Sequence, residues 1–306
     1  MPGGELVFKI INLGGVAAIA LLLTSVAPAS AQTRVGDRVF LHTIVVGQPG
    51  VSDDLTVPSF SWSRASDGTP DTNYSAVLSK RITENFGVVI TEPTWTRFGN
   101  LSGFQNLVTA FKYMPVSNAE HQLMMCIGLQ VEWGGTGTDR IGASSFSVVT
   151  PQLYIGKGFG DLPPELSWLR PFAVTGQFGL SLPTKPNTSS DPFVGATGGA
   201  TLFNWSMSLQ YNDATNPWRV LGINIAPLVE VSLVTPVADA LPNDAATTGT
   251  VNAGLAFSGK GIQLATEAIF PINSISGHGV GVAATLTFSF SELAPTTLGR
   301  PLFGKH

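Results

Sequence analysis

The chain has 306 residues, 43% hydrophobic and only 12% charged, with 34 glycines, 21 prolines, one cysteine and a formal net charge of −4. Ordinary soluble domains carry roughly twice that share of Asp, Glu, Lys and Arg, so an average water-facing surface is hard to build from it. The slightly acidic balance argues against nucleic acid as a partner, and a single cysteine, Cys126, excludes an internal disulfide and a multi-cysteine metal site.

A bundle of membrane helices needs repeated runs of about 20 apolar residues, and only the N-terminus comes close. There Lys9 precedes an apolar stretch, Ile10 to Leu23, which is followed by Ala27-Pro28-Ala29-Ser30-Ala31-Gln32. A weakly positive start, a short apolar core and a small-x-small site at Ala29 and Ala31 predict a secretory signal over residues 1–31, cleaved after Ala31. A retained anchor helix is the alternative, but the stretch is short for a span. Residues 32–54 are then expected to form a periplasmic or lumen-entering segment.

From residue 55 onward apolar and polar residues alternate, the pattern of a strand with two unlike faces. Twelve segments are predicted: 55–63, 72–80, 87–96, 107–114, 121–133, 147–156, 169–182, 201–211, 220–234, 250–258, 262–270 and 279–290. In the fifth, Leu123, Met125, Ile127, Leu129, Val131 and Trp133 share one face, opposite Gln122, Met124, Cys126, Gly128, Gln130 and Glu132. Ile223 to Leu233 and Val280 to Phe290 repeat the pattern, and the second face is mostly small or polar. Most segments have the 9–11 residues or so that a tilted strand needs to cross a bilayer.

The odd-numbered connections, among them Pro183–Ala200 and Thr235–Gly249, tend to be longer than the even ones beside them. Outer-membrane barrels show this asymmetry, with short periplasmic turns and long outer loops. It puts both chain ends in the periplasm and requires an even strand count. Trp62, Trp95, Trp133, Trp168 and Trp218 fall near predicted strand ends, where aromatic girdles lie, whereas Trp205 is nearer a strand centre. The expected fold is an all-β, antiparallel, up-and-down transmembrane barrel of about twelve strands over 55–292, with 293–306 as a periplasmic tail.

The catalytic motifs fail one by one. Gly254 to Gly261 approaches a phosphate-binding loop, but Gly261 stands where Ser or Thr would hold magnesium and a strand follows instead of a helix; it reads as a tight hairpin turn. The four histidines, His42, His121, His278 and His306, have no second ligand at metal spacing, and there is no Gly-x-Ser-x-Gly elbow. No enzyme activity, catalytic residue, metal or cofactor is expected. The informative residues are polar ones on predicted inward faces: Lys112, Gln130, Glu132, Gln177, Asn224, Glu230, Gln263 and Glu267. A lysine facing lipid at mid-bilayer costs about 2–4 kcal/mol, which sends Lys112 to the lumen. These residues either line a water-filled passage or pair with one another and plug the interior.

Two stretches carry a resemblance. Gly103-Phe104-Gln105-Asn106-Leu107 leading to Phe111-Lys112-Tyr113, and the tail from Phe288 through Gly299-Arg300-Pro301, resemble the bacterial family named for the MetA pathway of phenol degradation. Asn106 and Gln105 stand where that family commonly has Asp and Gly. The resemblance implies an outer-membrane, transporter-like barrel involved in passage of small aromatic or apolar molecules. Its partners would then be outer-membrane lipid, a small-molecule solute and the outer-membrane assembly machinery. Two other readings stay open: a structural or surface-binding barrel with a closed lumen, and a secreted soluble β protein.

Overall fold

The computed structural model describes residues 33–189, 196–212 and 222–304. The expected signal segment 1–31, Trp218, His306, most of the connection 212–219 and part of Pro183–Ala200 lie outside the described residues.

The chain begins with a short hairpin, β1 (Thr33–Val35) and β2 (Arg38–Phe40), that pairs only with itself. The wall starts with β3 (Asp54–Arg64) and β4 (Pro70–Arg81). Its third stave is split into β5 (Phe86–Thr91) and β6 (Trp95–Phe98), which both pair with β4. The fourth is divided between β7 (Leu101–Phe104), which pairs with β6, and β8 (Leu107–Asn118), which pairs with β5. There follow β9 (Leu123–Trp133), β10 (Val148–Gly158), β11 (Phe172–Pro183) and β12 (Thr201–Tyr211). The last four are β13 (Asn224–Ala238), β14 (Thr248–Gly259), β15 (Ile262–Pro271) and β16 (Gly281–Ser289). Every pairing between these strands is antiparallel and joins staves that are neighbours in sequence, and β16 returns to pair with β3. That ladder closes a barrel of twelve staves, which removes the open edge from the wall itself, and β7 stands at the free edge of the β6–β7 hairpin that extends it.

Alternation is the cause of the wall. Along β16 Gly281, Ala283, Thr285, Thr287 and Ser289 are buried while Val282 is 47% exposed; along β13 Ala226, Leu228 and Glu230 are buried beside an exposed Val229. On β9 Met124 and Cys126 face in, and Ile127, Leu129 and Trp133 face out. The outer surface is therefore apolar all round, with Leu78, Ile90, Phe111, Leu209, Leu255 and Phe270 among its exposed side chains.

Several predicted boundaries move, the end of the ninth from 234 to Ala238 among them, and three of the shifts involve proline. The third segment breaks at Glu92-Pro93-Thr94, where proline offers no N–H to the ladder, and residues expected to be a plain connection form the β6–β7 hairpin. The fourth runs past Pro115 to Asn118 because the proline sits in a register irregularity between Tyr113 and Val116. The seventh starts at Phe172, since Pro163-Pro164 open a 3-10 turn over Pro164–Leu169 that leaves Trp168 67% exposed in the connection. Trp205 lies mid-strand opposite Phe178, as its position in the sequence implied. The phosphate-loop look-alike is a two-residue hairpin: Lys260 and Gly261 both have positive φ, 52° and 75°, as the mirror-image turn of a tight hairpin requires.

Both ends of the described chain sit at the end of the barrel that carries the even-numbered connections. Asp53, fully buried, accepts from Lys80 Nζ at 2.8 Å and Arg81 Nε at 2.7 Å. The same two side chains hold the tail, donating to the carbonyls of Leu298 at 2.7 Å, Arg300 at 2.6 Å and Gly299 at 2.8 Å. At this end Lys157 Nζ also grips Asp161 at 2.7 and 2.8 Å, which holds that carboxyl below its ordinary value of 3.8.

Candidate functional site

Residues 41–52 have no alternation, one glutamine, one histidine and two glycines, so they cannot form a two-faced strand. They run inside the barrel instead. A backbone placed there has lost water and must find other partners, and the inward side chains of the wall provide them.

The entry is fixed by Arg38, 4% exposed, whose Nε donates to Gln122 Oε1 at 3.1 Å and whose Nη1 donates to the Pro171 carbonyl at 3.2 Å. The carbonyls of Arg170 and Asn212 take its other donors, so one guanidinium fork ties together three connections. Deeper in, Leu41 N donates to Gln210 Oε1 at 2.9 Å, and Gln263 both accepts from His42 N at 3.2 Å and donates to His42 O at 2.5 Å. Glu230 Oε2 accepts two backbone N–H groups, Ile44 at 3.0 Å and Val45 at 3.1 Å. Gly47 N donates to Gln177 Oε1 at 2.7 Å. Glycine is required at that point, since a Cβ on residue 47 would lie 2.6 Å from Tyr154 Cε1. Lys112, 5% exposed, donates to the Gln48 carbonyl and has its ammonium 4.0 Å from the centre of the Tyr154 ring.

Packing is uneven. Leu41 and Ile44 rest on Ala226, Leu228, Ala256 and Ala265, small or flat side chains of β13–β15. On the opposite side, between the segment and β3, β4, β5 and β8, a cavity of about 400 Å³ remains. Val51, Val77, Val89 and Val108 give it an apolar flank; Gln130, Gln177, Tyr154 and Lys112 give it a polar one. His42 Nε2 and Asp54 Oδ2, 3.1 Å apart, lie at its edge.

Of the eight residues singled out in the sequence, five touch this arrangement: Lys112, Gln177, Glu230 and Gln263 bind the segment, and Gln130 lines the cavity and accepts from Gln152 Nε2 at 3.4 Å. Glu267 is held by Asn252 Nδ2 at 3.0 Å and lies beside the Glu230 carboxyl. Asn224 donates to Asn212 Oδ1 at 2.7 Å near the entry. Glu132 lies apart, at the long-loop end, accepting from Asn106 Nδ2 at 2.8 Å. Gln210, Tyr154, Asn252 and Arg38 were not singled out. The first three occupy inward parity positions that the same rule marks, whereas Arg38 precedes the first predicted strand and carries no pattern.

Among the described residues no cluster of three His, Cys, Asp or Glu could hold a metal.

No family model and no curated protein sequence matches the chain. Among solved structures it is similar to the KdgM porin, at 11% identity and a TM-score of 0.47, over 78% of this chain and 99% of that one. It is also similar to the NanC porin, at 8% identity and a TM-score of 0.49, over 76% and 98% of the two chains. The beta domain of the Bordetella autotransporter BrkA gives 11% identity and a TM-score of 0.44, over 78% and 99%. The closed twelve-stave barrel itself is read from the continuous strand pairing.

Proposed function

We propose that this chain is an outer-membrane barrel that lets small molecules pass through a lumen narrowed by its own N-terminal segment. The observation that carries the reading is the cavity of about 400 Å³ beside residues 41–52, within the range of small-molecule sites. The membrane half of the reading is supported by the apolar outer surface, which exposes Phe111, Ile127, Leu129 and Leu255 far beyond what a water-facing monomer leaves open. Its expected partners are lipid on that surface and the machinery that inserts such barrels. Residues 1–31 are its cleaved export signal and 293–306 its periplasmic tail.

The valine flank of the cavity favours solutes with one apolar side, and Gln130, Gln177 and Lys112 offer hydrogen bonds to the other. This agrees with the resemblance at Gly103–Tyr113, which implies aromatic or apolar cargo. A second reading, a closed structural barrel, is favoured by the hydrogen bonds that hold the segment in place.

The test is reconstitution of the purified, signal-processed protein into liposomes and planar bilayers. Passage predicts swelling in small amphiphilic solutes and a small stepwise conductance; no permeability to any solute leaves the closed barrel. Recovery in the soluble periplasmic fraction, without a heat-modifiable gel band, would remove the membrane reading as well.

A further inference from the structure

We infer that residues 41–52 are a hinged gate: a loop clamped at both ends at one mouth of the barrel, whose tip moves between its seat on β13–β15 and the neighbouring cavity. The inference rests on the passage reading above and adds a mechanism to it.

Three features carry it. Both ends are fixed at the same mouth, one by the Arg38 fork and the other by Asp53 between Lys80 and Arg81. The loop therefore cannot be expelled without breaking buried charged contacts, and motion is confined to its middle. That middle makes no ladder with the wall; β1 and β2 pair only with each other, and the loop's links to the wall are to Gln210, Gln263, Glu230, Gln177 and Lys112 side chains. Each such bond is worth about 1 kcal/mol net and can be broken singly, whereas a backbone ladder would be lost cooperatively. Finally, Leu41 and Ile44 pack on residues of β13–β15, and a cavity of about 400 Å³ toward β3, β4, β5 and β8 leaves free space beside the tip.

Glu230 is the latch. Its Oε2 takes the N–H groups of both Ile44 and Val45, two consecutive backbone donors of the tip. Glu230→Ala should raise the ratio of open to closed dwell time by about fivefold for each hydrogen bond lost. Glu230→Gln keeps an acceptor oxygen and should restore wild-type gating.

The decisive experiment pins the tip to its seat. Ile44→Cys and Leu228→Cys, which replace side chains already packed in one cluster, are joined by a short thiol-specific crosslinker in a Cys126→Ser background. Folding is verified by heat-modifiable mobility and joining by mass spectrometry, and single-channel currents are recorded before and after. The gate predicts that joining abolishes the larger conductance state. Equal currents before and after overturn the gate and leave passage standing. A silent wild type beside a conducting variant lacking 41–51 makes the loop a fixed plug, which also overturns it. Silence in every form removes passage and the gate together.

Discussion

The two sides of the lumen use the same strand pattern to opposite effect. On β13–β15 the inward positions alternate small residues, Ala226, Ala256 and Ala265, with long acceptors, Glu230 and Gln263. The small residues let the loop approach, and the acceptors satisfy its backbone. On β4, β5 and β8 the inward positions are Val77, Ser79, Val89, Val108 and Ala110, none able to reach a backbone across the lumen, and a cavity remains. Lys112 is the exception on that side, long enough to reach Gln48. Whether a barrel is filled or hollow thus turns on a few side-chain lengths at inward positions, because the wall is the same on both sides.

The sharpest way to break this contrast is to enlarge one alanine on each side. Ala265→Phe intrudes on a packed seat and should lower stability by about 3 kcal/mol, the upper part of the usual overpacking range, read as a drop in the urea midpoint of the heat-modifiable band. Ala110→Phe projects into the cavity and should move that midpoint by less than about 0.5 kcal/mol while reducing conductance. Equal costs would mean that the two sides are equally packed.

Gln263→Ala removes a donor and an acceptor from the backbone of His42. It should cost about 1–2 kcal/mol and speed hydrogen exchange at the His42 amide without altering exchange in β4 or β5. Lys112→Met acts on the hollow side. Losing the Gln48 bond is offset by no longer burying a charge, so the net change should stay within about 1 kcal/mol, and the reversal potential should shift toward cation preference.

The smallest effect is expected outside both sides. Asp161 has a folded-state pKa below the ordinary 3.8, so its contribution is present above that value and fades only as pH falls through the lowered one. Acidification from pH 7 to 4 should leave the Lys157–Asp161 contact intact by NMR and stability nearly unchanged, since partly exposed pairs contribute little.

The wall was legible because a barrel strand has a period of two and two unlike surroundings, so Gln130, Glu230, Gln263 and Glu267 could be placed on inward faces by parity. Splits at Pro93 and the extension past Pro115 were not legible, since proline marks an interruption without saying whether the chain leaves the sheet or bulges within it. What the inward residues bind was hidden for a different reason. Residues 41–52 have no periodicity, and their partners are reached through main-chain groups that every sequence possesses. The surplus of long amide and carboxylate side chains on one side of the lumen was the available sign that something other than water occupies it.

The hydrogen bond between His42 and Gln263 joins positions 221 residues apart, and the β16–β3 seam brings together the same two regions of chain. Closing one leaves only a short loop to be closed by the other, and the entropy of closure grows with the logarithm of loop length. Loop and seam therefore share a single large entropic cost. Contacts of the loop with β15 shorten the closure left to the seam, so variants that loosen it should slow closure of the barrel as well as change what happens once it is closed.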